Sequence, residues 1–127
     1  MRKSILSVNG HTAMNYLLQT IFEKEYHFVP VRDVFQAMHH FRTTRKINVL
    51  IIDIDFQPQQ GWELIEHLKS SRLHQVPVIL LTTINNETLR QKCLKYEIED
   101  VFYKPFNPID LTASVKGIIT LNESMNA

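Results

Sequence analysis

Three polar side chains each close an apolar, β-rich run. Asp53 ends NVLIID, Thr82 ends VPVILLT and Lys104 ends DVFYK. A carboxylate at the exit of a buried strand is costly unless something there uses its charge. An acid, a hydroxyl and an ammonium in one place suit an anion bound to the acid or built on it. The carboxylate can attack phosphorus to give an acyl phosphate. A lysine and a hydroxyl nearby would then stabilise the charge spread over the transferred group. A plainer alternative stays open on spacing alone: Asp53 caps the following loop, Thr82 is a satisfied strand-end hydroxyl and Lys104 simply pairs with Asp53.

The elements that must position these residues alternate along the chain. SILSV (4 to 8) reads as a strand, and the helical spacing of Met14, Leu17, Leu18, Ile21 and Phe22 predicts a helix over 11 to 24. YHFVPV (26 to 31) is extended, with Pro30 favouring an outer position in a sheet. Asp33 can cap a helix that buries Val34, Ala37, Met38 and Phe41. Residues 48 to 53 and 76 to 82 are apolar on both faces, as central parallel strands are. A helix over 60 to 70 carries Leu64, Ile65 and Leu68 between them, with Trp62 packing at its start. A more polar helix over 86 to 96 and a short strand over 100 to 104 follow. Asn107 and Pro108 then open a last helix through Leu111, Val115, Ile118 and Ile119. Five strand–helix units in this order imply an α/β fold with a doubly wound, five-stranded parallel sheet. In such sheets ligands bind beyond the carboxyl ends of the strands, where the strand order reverses. Asp53, Thr82 and Lys104 are expected to converge there.

Composition bounds the function. The 127 residues fit one domain, read as residues 3–121 with a frayed tail over 122–127. A formal net charge of +1 gives no electrostatic case for nucleic acid. No apolar run approaches the roughly 18 residues that span a bilayer, and the N-terminus is too soon interrupted for a signal peptide. Cys93 is the only cysteine, so no internal disulfide forms, and a reducing cytoplasm fits. His27, His39, His40, His67 and His74 show no spacing shared with a carboxylate or Cys that would form a transition-metal site.

Three segments together resemble the receiver domain of two-component response regulators over residues 3 to 121. VLIIDIDFQPQQGWELIEHLK is similar to the segment in which the phosphoacceptor aspartate ends the third strand, with a Gly eight residues on, here Gly61. VPVILLTT resembles the fourth strand, whose terminal Thr or Ser contacts the phosphoryl group, here Thr82. FYKPFNPIDL resembles the segment holding the lysine that contacts a phosphoryl oxygen, here Lys104, followed by Pro105 after a peptide bond that is usually cis. The resemblance implies a flavodoxin-like (βα)5 three-layer sandwich and a signalling module rather than an enzyme. It implies a phosphoryl group received on Asp53 from a sensor histidine kinase or phosphotransfer protein. Output would be a population shift in the face of the fourth helix, fifth strand and fifth helix, the expected place for a downstream protein target or a homodimer contact. No output domain follows residue 121 in this sequence, so the effect is expected through protein contacts unless the chain is part of a longer protein.

Departures from the pattern matter for chemistry. The acids that usually end the first strand and hold Mg²⁺ are here Asn9 and Gly10, followed by His11. Asp53 with the backbone carbonyl near Asp55 makes at best a weak metal site, since Mg²⁺ prefers hard oxygen ligands with one or two carboxylates. Without metal, two unit charges ~4 Å apart repel by roughly 4 kcal/mol at an effective dielectric of 20. Phosphotransfer is then expected to be slowed by about a hundredfold or more, unless it is rescued. Two rescues are conceivable: the Asp55 carboxylate turning to the metal, or a protonated His11 supplying positive charge. Val101 stands where an aromatic is common, Glu97 and Ile98 replace a usual Gly–Ala pair, and Pro58 comes one residue late, with Gln57 in its normal place. The competing reading is a pseudo-receiver, a binding module that keeps the fold without Mg²⁺-dependent phosphorylation. A nucleotide-binding protein would need a phosphate loop after the first strand, and NGHTAM offers a single Gly.

Overall fold

The computed structural model describes residues 2–43, 46–71 and 75–125. The alternating runs become β1 (Ser4–Val8), α1 (Thr12–Phe22), β2 (His27–Val31), α2 (Val34–Thr43), β3 (Val49–Asp53), α3 (Pro58–Ser70), β4 (Val78–Thr82), α4 (Glu87–Lys95), β5 (Asp100–Tyr103) and α5 (Pro108–Met125). All strands are parallel, in the order β2-β1-β3-β4-β5. The order reverses at β1, between β2 and β3, which opens a crevice at the carboxyl ends. This is the flavodoxin-like strand order that the resemblance implies.

β3 and β4 are buried at every residue because helices cover both faces of the sheet. Leu50, Ile52, Val78 and Leu80 pack with Leu64, Ile65, Leu68, Ala37 and Leu89 on one side. Their neighbours Val49, Ile51, Ile79 and Leu81 pack with Leu18, Phe22, Leu111 and Val115 on the other. The alternation is the two-residue period of a strand expressed on two cores. Pro30 lies in β2, an outer strand, where its missing N–H removes no ladder bond.

Local chemistry sets the helix starts. Asp33 Oδ1 accepts from Gln36 N at 2.8 Å, and Asn107 Oδ1 accepts from Ile109 N at 2.9 Å. Pro58 opens α3 two residues earlier than the apolar spacing suggested, at a position where a missing N–H is harmless. Residues 122 to 125, expected as tail, continue α5; Leu121, Asn122, Glu123 and Ser124 contain no helix breaker, and Glu123 meets Lys3 at 3.6 Å. Residues 126 and 127 of that tail, and His74, lie outside the described residues. No helix among the described residues is long and apolar enough to cross a membrane.

Candidate functional site

Asp53 sits at the carboxyl end of β3 with its side chain 1% exposed. The ladder carries one residue further, where Ile54 N donates to Leu81 O at 3.0 Å. Ile54 is buried and anchors the chain there. Asp55 N then donates back to Asp53 Oδ1 at 3.0 Å. This turn, closed by the aspartate's own side chain, redirects the backbone just past the strand. Lys104 N bonds Thr82 O at 2.9 Å, which keeps the end of β5 beside the end of β4. The Lys104–Pro105 peptide is cis. From there Lys104 Nζ reaches Asp53 Oδ2 at 2.7 Å.

The turn aims the Asp55 carboxylate across the end of β4. Its Oδ1 accepts from Thr82 Oγ1 at 2.6 Å, and its Oδ2 accepts from Thr83 N at 2.8 Å and Thr83 Oγ1 at 2.9 Å. Lys104 Nζ stands 3.1 Å from the same Oδ2. Thr82 Oγ1 also accepts from Ile84 N at 2.9 Å, which leaves its proton for Asp55. Asp53, Thr82 and Lys104 therefore do meet in one pocket, with Asp55 as the group that joins them. Among the hydrogen bonds of the described residues, Thr82 bonds Asp55 rather than Asp53.

Electrostatics follow from these contacts. Burial alone would raise the Asp55 carboxyl, but the hydrogen bonds of Thr82, Thr83 and Lys104 outweigh it and hold it below the usual carboxylate range. Burial alone would lower the Lys104 ammonium; its bonds to Asp53 and Asp55, and their charges, outweigh that and hold it above its ordinary value. One ammonium thus serves two carboxylates.

The end of β1 is built differently. Asn9 is buried and its Oδ1 accepts from His11 N at 2.8 Å. Its Nδ2 is buried and has no hydrogen-bond partner among the described residues. A Cβ on Gly10 would lie 2.5 Å from Phe56 Cδ2 and 2.7 Å from Phe56 Cγ, so the Phe56 ring covers the place where the usual metal ligand would project. His11 is exposed at the start of α1 and its side chain caps nothing. These residues do not fit Mg²⁺. The amide that faces inward from Asn9 is a donor, Gly10 offers no ligand, and the two carboxylates present already share the Lys104 cation. Among the described residues no group of three or more His, Cys, Asp and Glu side chains could hold a metal ion.

Several participants escaped sequence reasoning. The Asp55 carboxylate, for which the sequence suggests at most a turn toward a metal, is held instead by Thr82, Thr83 and Lys104. Thr83 repeats the strand-end hydroxyl of Thr82, and the TT pair is the only signal of it. Phe56 gave no signal of contact with Gly10. Asn15 in α1 is buried beneath the site, with Nδ2 on Val31 O at 3.0 Å and Oδ1 accepting from Ser7 Oγ at 2.7 Å. Trp62, expected to pack at the helix start, stacks on Tyr96 with ring centroids 5.9 Å apart, under Lys92 Nζ.

The family described as response regulator receiver domain matches residues 5–116. The chain is 28% identical over 123 residues to hybrid signal transduction histidine kinase D of Dictyostelium discoideum, covering 94% of this chain and 8% of that protein. It is 29% identical over 118 residues to response regulator GtcR of Aneurinibacillus migulanus, covering 92% of this chain and 48% of that one. The chain thus spans less than half the length of either. A solved signal receiver domain of a two-component histidine kinase from Clostridium thermocellum superposes with a TM-score of 0.82 at 24% identity, covering 94% of this chain and 98% of that one.

Proposed function

Because the chain belongs to the response regulator receiver domain family, we propose that Asp53 is its phosphoacceptor. The chain is a receiver domain of the two-component type, and such domains are signalling modules. In the proposed step an Asp53 carboxylate oxygen attacks the phosphorus of a phosphohistidine on a sensor kinase or phosphotransfer protein. The O–P bond forms as the P–N bond breaks, and its electron pair leaves with the imidazole nitrogen. Lys104 would neutralise charge on the transferred group, and Thr82 would donate to one of its oxygens. The observation that carries this reading is a carboxylate 1% exposed at the reversing edge of the sheet, held ready by an ammonium at 2.7 Å. Signalling would pass to a downstream protein, or to a second copy, through the face of α4, β5 and α5, with the cytoplasm as the setting.

Incubation with acetyl phosphate and Mg²⁺, read by intact mass spectrometry, tests the assignment. One added phosphoryl group is expected on the wild type and none on Asp53→Asn. An adduct that persists in Asp53→Asn removes Asp53 from the role. A specific observation supports the pseudo-receiver as second reading: Asn9 and Gly10 offer no carboxylate at the end of β1, and the Phe56 ring lies where a side chain at position 10 would project. It predicts no adduct at any donor or metal concentration.

A further inference from the structure

A loop carboxylate ordinarily takes its hydrogen bonds from water. Asp55 instead receives two hydroxyls and a backbone amide, with an ammonium 3.1 Å away. These four donors come from the ends of two strands, so the sheet itself holds them in place. Hydroxyl, amide and ammonium donors converging on one point form an oxyanion site, and such a site does not depend on which anion fills it. Here a side chain of the same protein fills it, one turn away from the aspartate that the preceding reading makes the phosphoacceptor.

We propose that Asp55 is a built-in occupant of an oxyanion site formed by Thr82, Thr83 and Lys104, and that a tetrahedral phosphoryl oxyanion enters only by displacing it. Two consequences follow. The donors that a phosphoryl group on Asp53 would have to recruit are already ordered in the unmodified chain, so the pocket rests close to its anion-bound arrangement. Modification of Asp53 also has to expel a like charge and take over its hydrogen bonds, so Asp55 slows phosphorylation and narrows the difference that phosphorylation makes. The oxyanion site stands on the geometry alone; the slowing of phosphorylation rests also on Asp53 being the acceptor.

The two parts separate experimentally. Inorganic phosphate is titrated, in the presence of a chelator, into Asp53→Asn and into Asp53→Asn/Asp55→Ala. The Thr83 amide is followed by two-dimensional ¹H–¹⁵N NMR. In the double variant the Thr83 resonance should move saturably, with affinity at least about tenfold tighter than in Asp53→Asn, where Asp55 still fills the site. Equal response in both, or none in the double variant, overturns the proposal. If the double variant does not fold, Asp53→Asn/Asp55→Ser decides in the same way, because serine keeps a small polar group at the turn while removing the carboxylate from the oxyanion site. In the chain with Asp53 intact, Asp55→Ala should accept phosphate from acetyl phosphate at least about tenfold faster than wild type. Absence of any adduct in both, with the Thr83 response present, removes the phosphoacceptor reading and leaves the oxyanion site standing.

Discussion

At the scale of single residues the decisive difference lies between two aspartates two positions apart. Asp53 is fixed by the strand it ends, and a buried carboxylate after an apolar run announces itself in the sequence. Asp55 does not, because the direction of its side chain depends on the turn that Asp53 Oδ1 closes with its amide. Its bonds carry a pH signature. The folded-state carboxyl lies below its ordinary value, so the unfolded chain binds that proton more readily. The stability it contributes is complete above the unfolded value of about 3.9 and is lost as pH falls through the lower folded one. At neutral pH Asp55→Ala should cost about 1–2 kcal/mol, discounted for partial exposure and for relief of its repulsion with Asp53. Urea titrations at stepped pH should show that gap closing in the acid range; a gap that stays constant down to acid unfolding means that the bonds are not those of a carboxylate. Glu97 offers a second test. It adopts φ 53° at the turn after α4, a left-handed conformation that disfavours any Cβ. Its backbone oxygen accepts from Lys69 Nζ, a bond that glycine keeps. Glu97→Gly should therefore stabilise by about 1 kcal/mol, raising the melting temperature by roughly 3–6 °C; an unchanged or lower melting temperature would show that lost chain entropy outweighs the relief.

At the scale of elements, legibility followed burial. β3 and β4 read clearly because both faces are covered, leaving no polar residue to blur the run until the functional ones at the end. The caps of α2 and α5 were readable because Asp33 and Asn107 bond N–H groups two or three residues ahead, within the reach of local sequence. What joins elements distant in sequence was not readable. The Phe56 ring over Gly10 links the loop after β3 to the end of β1, and neither residue type implies the other. Asn15 is a comparable case, since an amide on a helix face reads as solvated. It accepts from Ser7 Oγ of β1 and donates to Val31 O of β2, tying α1 to the two strands beneath the crevice. Val31 O has a second donor in Asn9 N at 3.1 Å, so the fully buried Ser7 hydroxyl is what loses its partner if Asn15 is cut back. Asn15→Ala should lower stability by about 1–3 kcal/mol, seen as a lower urea midpoint at unchanged slope. A midpoint within error of wild type would mean that water reaches Ser7.

At the scale of the whole molecule one core holds its helices unequally. α3 buries Gly61, Leu64, Ile65 and Leu68, whereas α4 buries Leu89 alone and leaves Leu94 73% exposed. A helix held by one fully buried side chain opens locally at low cost, and elements that move on signalling are drawn from such regions. The pocket lies at the end of β4, and Thr83 and Ile84 lead from it toward the Asn86 cap of α4. A change in what Asp55 holds is thus transmitted first to the start of this weakly anchored helix. Hydrogen exchange read by mass spectrometry should show α4 amides exchanging well before those of β3 and β4, which open only with global unfolding. Asp55→Ala should speed exchange in residues 83 to 90 by about threefold or more while leaving α3 unchanged, because Thr83 loses two of its bonds and α3 loses none. Protection in α4 equal to that of β3, or acceleration spread evenly over every helix, would mean that the molecule opens as one unit and that the pocket does not address α4 selectively.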